Sequence, residues 1–248
     1  MRLFLHQFRA DQLLFWRSRE AAVFVFLFPV MLFVLLGAVY SGDFEGRPVA
    51  EYLVAGLLGY GVANTTLGGL AILLVTRREL GLLKRVRATP LPAPTFLAAT
   101  LASTLVTFAI QAAAIVALGS LVYGADLPEA PLSLAAVLAA GALAFAAMGF
   151  GLASVVRSAE GVSPVVNVIV LPMTFLSGGF GPRQELPQAL QTISDVLPLR
   201  YFIDAVVATA LEGEPLWEQG TRLAIVALWG VAGLLVAARR FRWQPREG

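Results

Sequence analysis

The stretch Val196-Leu197-Pro198-Leu199-Arg200-Tyr201-Phe202-Ile203-Asp204-Ala205-Val206-Val207-Ala208-Thr209-Ala210-Leu211 decides how many times this chain crosses a membrane. It is apolar enough to resemble a span, yet it holds Arg200 and Asp204, each costing about 2.5–3.5 kcal/mol at the centre of an inserted helix. Its sixteen residues reach only about 24 Å at a rise of about 1.5 Å per residue, short of a hydrocarbon core of about 30 Å. Arg200 and Asp204, four apart, suit an ion pair along one helix face. The stretch reads as part of a re-entrant or interfacial element, not as a crossing.

Six other stretches do read as crossings: residues 21–40, 52–76, 95–122, 132–156, one from 162 fading near 177, and 223–238. The first runs twenty residues without a charge, with Pro29 placed to kink it. Charge placement supports the count. With the N-terminus inside, the inner segments hold Arg2, Arg9, Arg17, Arg19, Arg77, Arg78, Lys84, Arg85, Arg87, Arg157, Arg239, Arg240, Arg242 and Arg246. The outer ones hold Arg47, Arg183, Arg200 and Arg222, which makes 14 cations against 4. A seventh span would expose the C-terminal cluster outside and reduce the contrast to 10 against 8. The positive-inside bias therefore predicts six spans with both termini cytoplasmic.

Composition agrees. The chain is 58% hydrophobic and 14% charged over 248 residues, with a mean hydropathy of +0.78. Soluble domains carry about 25% charged residues. A net charge of +2 and the lack of any basic run exclude nucleic acid as a partner. Zero cysteines exclude disulfides and thiolate chemistry. The single histidine, His6, lies outside the spans, so a serine–histidine site in the membrane is excluded, and the spans hold no metal-ligand spacing. Glu212, Glu214 and Glu218 bunch in an outer loop, where solvated charge is the ordinary state. The spans as bounded above hold no ionisable group of the kind that ion-coupled carriers use.

Residues 1–20 read as a helix lying along the membrane. Arg2, His6, Arg9 and Arg17 share one face and Phe4, Phe8 and Phe15 another, with Asp11 and Leu13 departing from the pattern. An irregular basic tail is the alternative.

Two connectors carry information. Residues 77–90, Arg77-Arg78-Glu79-Leu80-Gly81-Leu82-Leu83-Lys84-Arg85-Val86-Arg87-Ala88-Thr89-Pro90, form a short basic helix with an apolar ridge of Leu82, Leu83 and Val86, closed by Pro90. Such a helix suits docking into a groove on a cytoplasmic partner, or simply holds its loop inside. Residues 177–211 are punctuated by Ser177, Gly178, Gly179, Gly181, Pro182, Pro187 and Pro198 into short helices. Non-helical backbone at membrane depth needs protein or a cavity beside it.

At these residues the chain resembles the membrane subunit of a type-2 ABC exporter. Arg78-Glu79-x-Gly81-x-x-Lys84-Arg85-x-Arg87-x-Thr89-Pro90 is similar to that family's coupling segment. Leu171-Pro172 through Pro198-Leu199, with Phe175-Leu176-Ser177-Gly178 and Leu186-Pro187 inside it, is similar to its re-entrant region. The resemblance implies an all-α integral membrane domain: six spans, an N-terminal interfacial helix, a cytoplasmic coupling helix and an extracytoplasmic re-entrant hairpin. It implies a permease in the cell membrane, paired with a second permease copy and surrounded by membrane lipids. ATP and Mg would be used by separate cytoplasmic ATPase subunits, with no cofactor on this chain. Consistent with that division, the sequence holds no phosphate-binding loop: its only lysine, Lys84, follows Leu83.

The resemblance assigns ATPase coupling to Arg78, Glu79, Lys84, Arg85 and Arg87, and a pathway to spans one, two and five. That makes Phe28, Asn64, Thr65, Asn167 and Thr174 pathway candidates. An uncharged polar group in a span either ties helices together or faces a cavity, and tying is the more ordinary role. The stripe Ala55-x3-Gly59-x3-Ala63 permits close helix approach, within the chain or between copies. Export of an amphipathic drug, lipid or lipid-linked polysaccharide is the expectation; a non-transporting scaffold of a larger complex is the alternative.

Overall fold

The computed structural model describes residues 1–40, 42–44, 47–181 and 183–241. Pro182, the one predicted re-entrant residue not among these, lies outside the described residues, as do Arg242 and Arg246.

Among the described residues, six helices are long and apolar enough to cross a membrane: Arg19–Val39, Val49–Glu79, Ala93–Tyr123, Pro131–Val155, Ala159–Leu176 and Leu216–Arg240. In chain order the helices are α1 (Arg2–Arg17), α2 (Arg19–Val39), α3 (Val49–Gly61), a π-helical segment (Val62–Gly69), α4 (Leu70–Glu79), α5 (Leu82–Arg87), α6 (Ala93–Tyr123), α7 (Pro131–Val155), α8 (Ala159–Leu176), α9 (Gln188–Ser194), α10 (Pro198–Ala210) and α11 (Gly220–Arg240). A two-residue antiparallel ladder, Asp43–Phe44 against Arg47–Pro48, closes the loop before α3.

Span two is α3, the π segment and α4 in one continuous helix, and it starts three residues before the sequence bound at 52. Glu51 therefore sits in its first turn, buried and 3.5 Å from Arg47. Span two is the inner helix, 78% buried over its most apolar window, whereas α2 and α11 are 11% buried and present apolar side chains outward. That inversion is what a bilayer permits: lipid, not water, meets the outer surface.

The bundle closes on glycine. A Cβ at Gly151 would lie 2.7 Å from the Gly233 carbonyl, and one at Gly233 would lie 2.6 Å from the Met148 Cα, so α7 and α11 meet backbone to backbone. Gly149 holds α7 against the π segment, where a Cβ would come 2.7 Å from the Leu67 carbonyl. Small residues allow such approach where apolar burial alone provides no drive between helices.

The stretch that decided the count is α10, thirteen residues ending a loop that returns into the bundle. It packs among α3, α7, α8 and α11. Phe202 is fully buried and meets Phe145 edge-on at 5.9 Å, seated where Gly141 has no side chain. Ile203 occupies the space left by Gly59, whose Cβ would approach it to 2.5 Å. Gly59, the middle of the small-residue stripe on span two, is thus filled by α10 of the same chain.

Candidate functional site

Span two ends where Gly81, at φ +70°, takes the left-handed conformation that stops α4 and redirects the chain into α5. Leu83 is fully buried and Val86 packs beside it, anchoring one side of α5 to the bundle. Lys84, Arg85 and Arg87 are exposed on the other side, next to exposed Leu80 and Leu82. Thr89 closes the helix, its Oγ1 donating to the Val86 carbonyl at 2.6 Å.

The two residues before this turn face inward. Arg78 is 2% exposed, and its guanidinium donates to the carbonyls of Ala153 (2.8 Å), Val156 (2.5 Å) and Arg157 (3.3 Å). Those carbonyls lie at the end of α7, where acceptors lack helical partners and a positive charge is favoured. The Glu79 carboxylate accepts from the Ala159 N–H in the first turn of α8, the complementary placement. Five residues were expected to face a partner; the structure leaves Lys84, Arg85 and Arg87 free to do so. Arg78 and Glu79 instead fasten the foot of span two to the α7–α8 connector.

Arg77 turns the opposite way. Its Nη2 donates to Asp11 Oδ1 at 2.8 Å, while Thr100 Oγ1 donates to Asp11 Oδ2 and Gln7 Nε2 to Oδ1, both at 2.8 Å. Beside them Gln12 Nε2 donates to the Ser103 carbonyl at 2.8 Å. Asp11 is the one buried residue of α1, so this helix is fastened to span two and α6 through a polar inner edge. The sequence pattern treated Asp11 as a misfit because a helical wheel sees only one helix, and its partner lies 66 residues away. An acidic residue on an amphipathic N-terminal helix, read together with a paired arginine at the end of a span, is the signal that would have found it.

The pathway candidates fall into two groups. Asn64 and Thr65 lie on the π segment, whose widened turn is a feature often kept at functional sites. Both line a cavity of about 420 Å³ between α1, α2, span two and α6. Thr65 Oγ1 also donates to Gln111 Oε1 at 2.7 Å, and Gln111 Nε2 donates to the Val25 carbonyl at 2.8 Å, so this chain of bonds ties three spans together. Gln111, fully buried, takes the helix-tying role that is the more ordinary one for an uncharged polar group in a span. Phe28 is half-buried nearby, between Phe24 (5.0 Å) and Tyr60 (5.6 Å). The second group is on α8. Thr174 is fully buried and bonds its own helix at the Val170 carbonyl (2.8 Å), while Asn167 is exposed on the outer face.

At the opposite end of the bundle, Ser177 follows α8 as a buried cap residue and Gly178 takes φ +80°, turning the chain. Pro187 caps the start of α9 and Pro198 is the first residue of α10. Arg183 donates to Asp195 at 2.8 Å, and Arg200 pairs with both Asp195 and Asp204. The Arg183 hydrogen bond, helped by the charge of Arg200, holds the Asp195 carboxyl below the usual carboxylate range. These ion pairs pin the two short helices to each other. Among the described residues no group of acidic or histidine side chains could hold a metal.

The family described as ABC-2 type transporter matches residues 2–211. The chain is similar to nodulation protein J of Rhizobium leguminosarum bv. viciae, 31% identical over 106 residues, 43% of this chain and 40% of that protein. It is also similar to the inner membrane transport permease YhhJ of Escherichia coli strain K12, 32% identical over 98 residues, 38% of this chain and 25% of that protein. The matched stretches span less than half of either relative. A match running from the N-terminal helix through α10, on a bundle of six apolar helices, establishes that this chain belongs to the ABC-2 type transporter family.

Proposed function

We propose that this chain forms half of the membrane domain of an ATP-driven exporter. A second permease copy completes it, and separate cytoplasmic ATPase subunits dock on α5 and carry the ATP and Mg. The observation that carries this reading is the division of α5: Leu83 and Val86 lock it to the bundle while Lys84, Arg85 and Arg87 face outward. A helix held on one side and basic on the other suits an acidic groove on a soluble partner. Arg78 and Glu79 then pass a displacement of α5 to the ends of α7 and α8.

Asn167 supports the second copy. An amide exposed on the outer side of α8, flanked by exposed Val168, Leu171 and Phe175, lacks a hydrogen-bond partner in hydrocarbon but gains one at a helix interface. The cargo class is an amphipathic molecule, a drug, lipid or lipid-linked polysaccharide, moved outward across the cell membrane. The aromatic group of Phe24, Phe28 and Tyr60 and the apolar walls around Asn64 and Thr65 suit such a cargo.

Orientation is testable directly because the chain has no cysteine. In intact cells, a membrane-impermeant maleimide should label Glu212→Cys and leave Arg85→Cys unlabelled until the membrane is opened. Labelling of Arg85→Cys from outside would overturn the cytoplasmic placement of α5 and with it the docking of an ATPase there.

A further inference from the structure

The Asp11–Arg77 pair closes one end of the cavity between α1, α2, span two and α6, and it leaves a polar group unsatisfied. Arg77 is 8% exposed, its Nη2 is used by Asp11, and its Nη1 is buried with no hydrogen-bond partner among the described residues. The guanidinium is fixed in place, its Cζ 5.9 Å over the Phe96 ring. A buried donor without an acceptor is costly, and arginine, donor only, cannot relieve it by rotation or deprotonation. The remaining walls combine apolar side chains (Leu14, Phe15, Phe24, Val25, Ile72, Leu73) with uncharged polar ones from span two and α6, and at the rim Leu14 and Phe24 are more than half exposed on the outer surface of the bundle.

We propose that this cavity binds the polar end of an uncharged amphiphile. An acceptor oxygen of an ester or hydroxyl head takes the Arg77 Nη1 hydrogen, and the apolar tail leaves past Leu14 and Phe24 into the surrounding hydrocarbon. The charge state of the ligand follows from the pair already present. Asp11 neutralises Arg77, so the site supplies a directed donor and no net positive charge, and a second buried anion would stay uncompensated. The volume of about 420 Å³ lies within the range of small-ligand sites, and the exposed rim gives entry from the bilayer side. The cavity is the one offered above to the cargo, so the site rests on that reading, whereas docking of an ATPase on α5 does not involve it and stands if the site fails.

Equilibrium binding of radiolabelled monooleoylglycerol to the full chain in detergent tests this. One saturable site is expected, weakened at least tenfold by Arg77→Lys, which keeps a cation against Asp11 but removes the fork, and by Ala21→Phe, which fills the cavity from its exposed rim. Ala139→Phe, in the separate apolar groove between α6 and α7, should leave binding unchanged. If Arg77→Lys does not fold, Ala21→Phe decides alone. Equal binding by wild type and Ala21→Phe would overturn the site. Oleate displacing monooleoylglycerol at lower concentration than unlabelled monooleoylglycerol would overturn the uncharged head.

Discussion

Asp11 and Arg77 form a buried ion pair at 2.8 Å. The carboxylate is 3% exposed and accepts from Arg77, Thr100 and Gln7, so its charge is matched and its lone pairs are used. Removing one member leaves the other as an uncompensated buried charge. Asp11→Ala is therefore expected to cost about 3–5 kcal/mol, read as a lower unfolding midpoint in detergent, while Asp11→Leu with Arg77→Met should recover most of the loss. If the single and double variants unfold alike, the pair is not what holds α1. At this scale the sequence was least legible. Lys84, Arg85 and Arg87 stand where their chemistry suggested, exposed on α5. Arg78 has the same chemistry and is buried, because the carbonyls that receive it belong to α7, 75 residues away.

At the scale of elements, hydropathy placed all six spans because burial in lipid depends on each residue's own polarity, not on its neighbours. α10 was also legible, since its length and its two charges are local facts. The π segment was not. Val62–Gly69 stands out by the polar Asn64, Thr65 and Thr66, but polarity does not encode a wider turn, and the segment packs closely against Gly149 of α7. The contact of α7 with α11 depends on glycine in a way that one substitution can separate from helix propensity. Gly233→Ala puts a Cβ 2.6 Å from the Met148 backbone, whereas Gly220→Ala meets nothing within 4 Å. The first should destabilise by about 1–3 kcal/mol, as overpacking does. The second should be neutral or slightly stabilising, since alanine narrows the unfolded ensemble. Thermal unfolding of the two variants side by side checks this, and equal midpoints would remove the close-contact explanation.

For the molecule as a whole, two ends of the bundle do different work. One end gathers the buried Asp11–Arg77 pair, the Arg78 and Glu79 fastenings and the exposed cations of α5. The other is closed by α10 and the Arg183–Asp195–Arg200 cluster. On the reading proposed above, a push on α5 would reach α7 and α8 through the Arg78 and Glu79 hydrogen bonds. The claim at the centre is that α5 is the docking helix for a separate ATPase. Co-purification of the tagged chain with the ATPase expressed alongside it measures this most directly, comparing wild type with Lys84→Glu/Arg85→Glu/Arg87→Glu, which alters only exposed side chains. Wild type should retain the ATPase and the triple variant should lose it while still reaching the membrane and unfolding at the wild-type temperature; retention of the ATPase by the triple variant would contradict docking at α5.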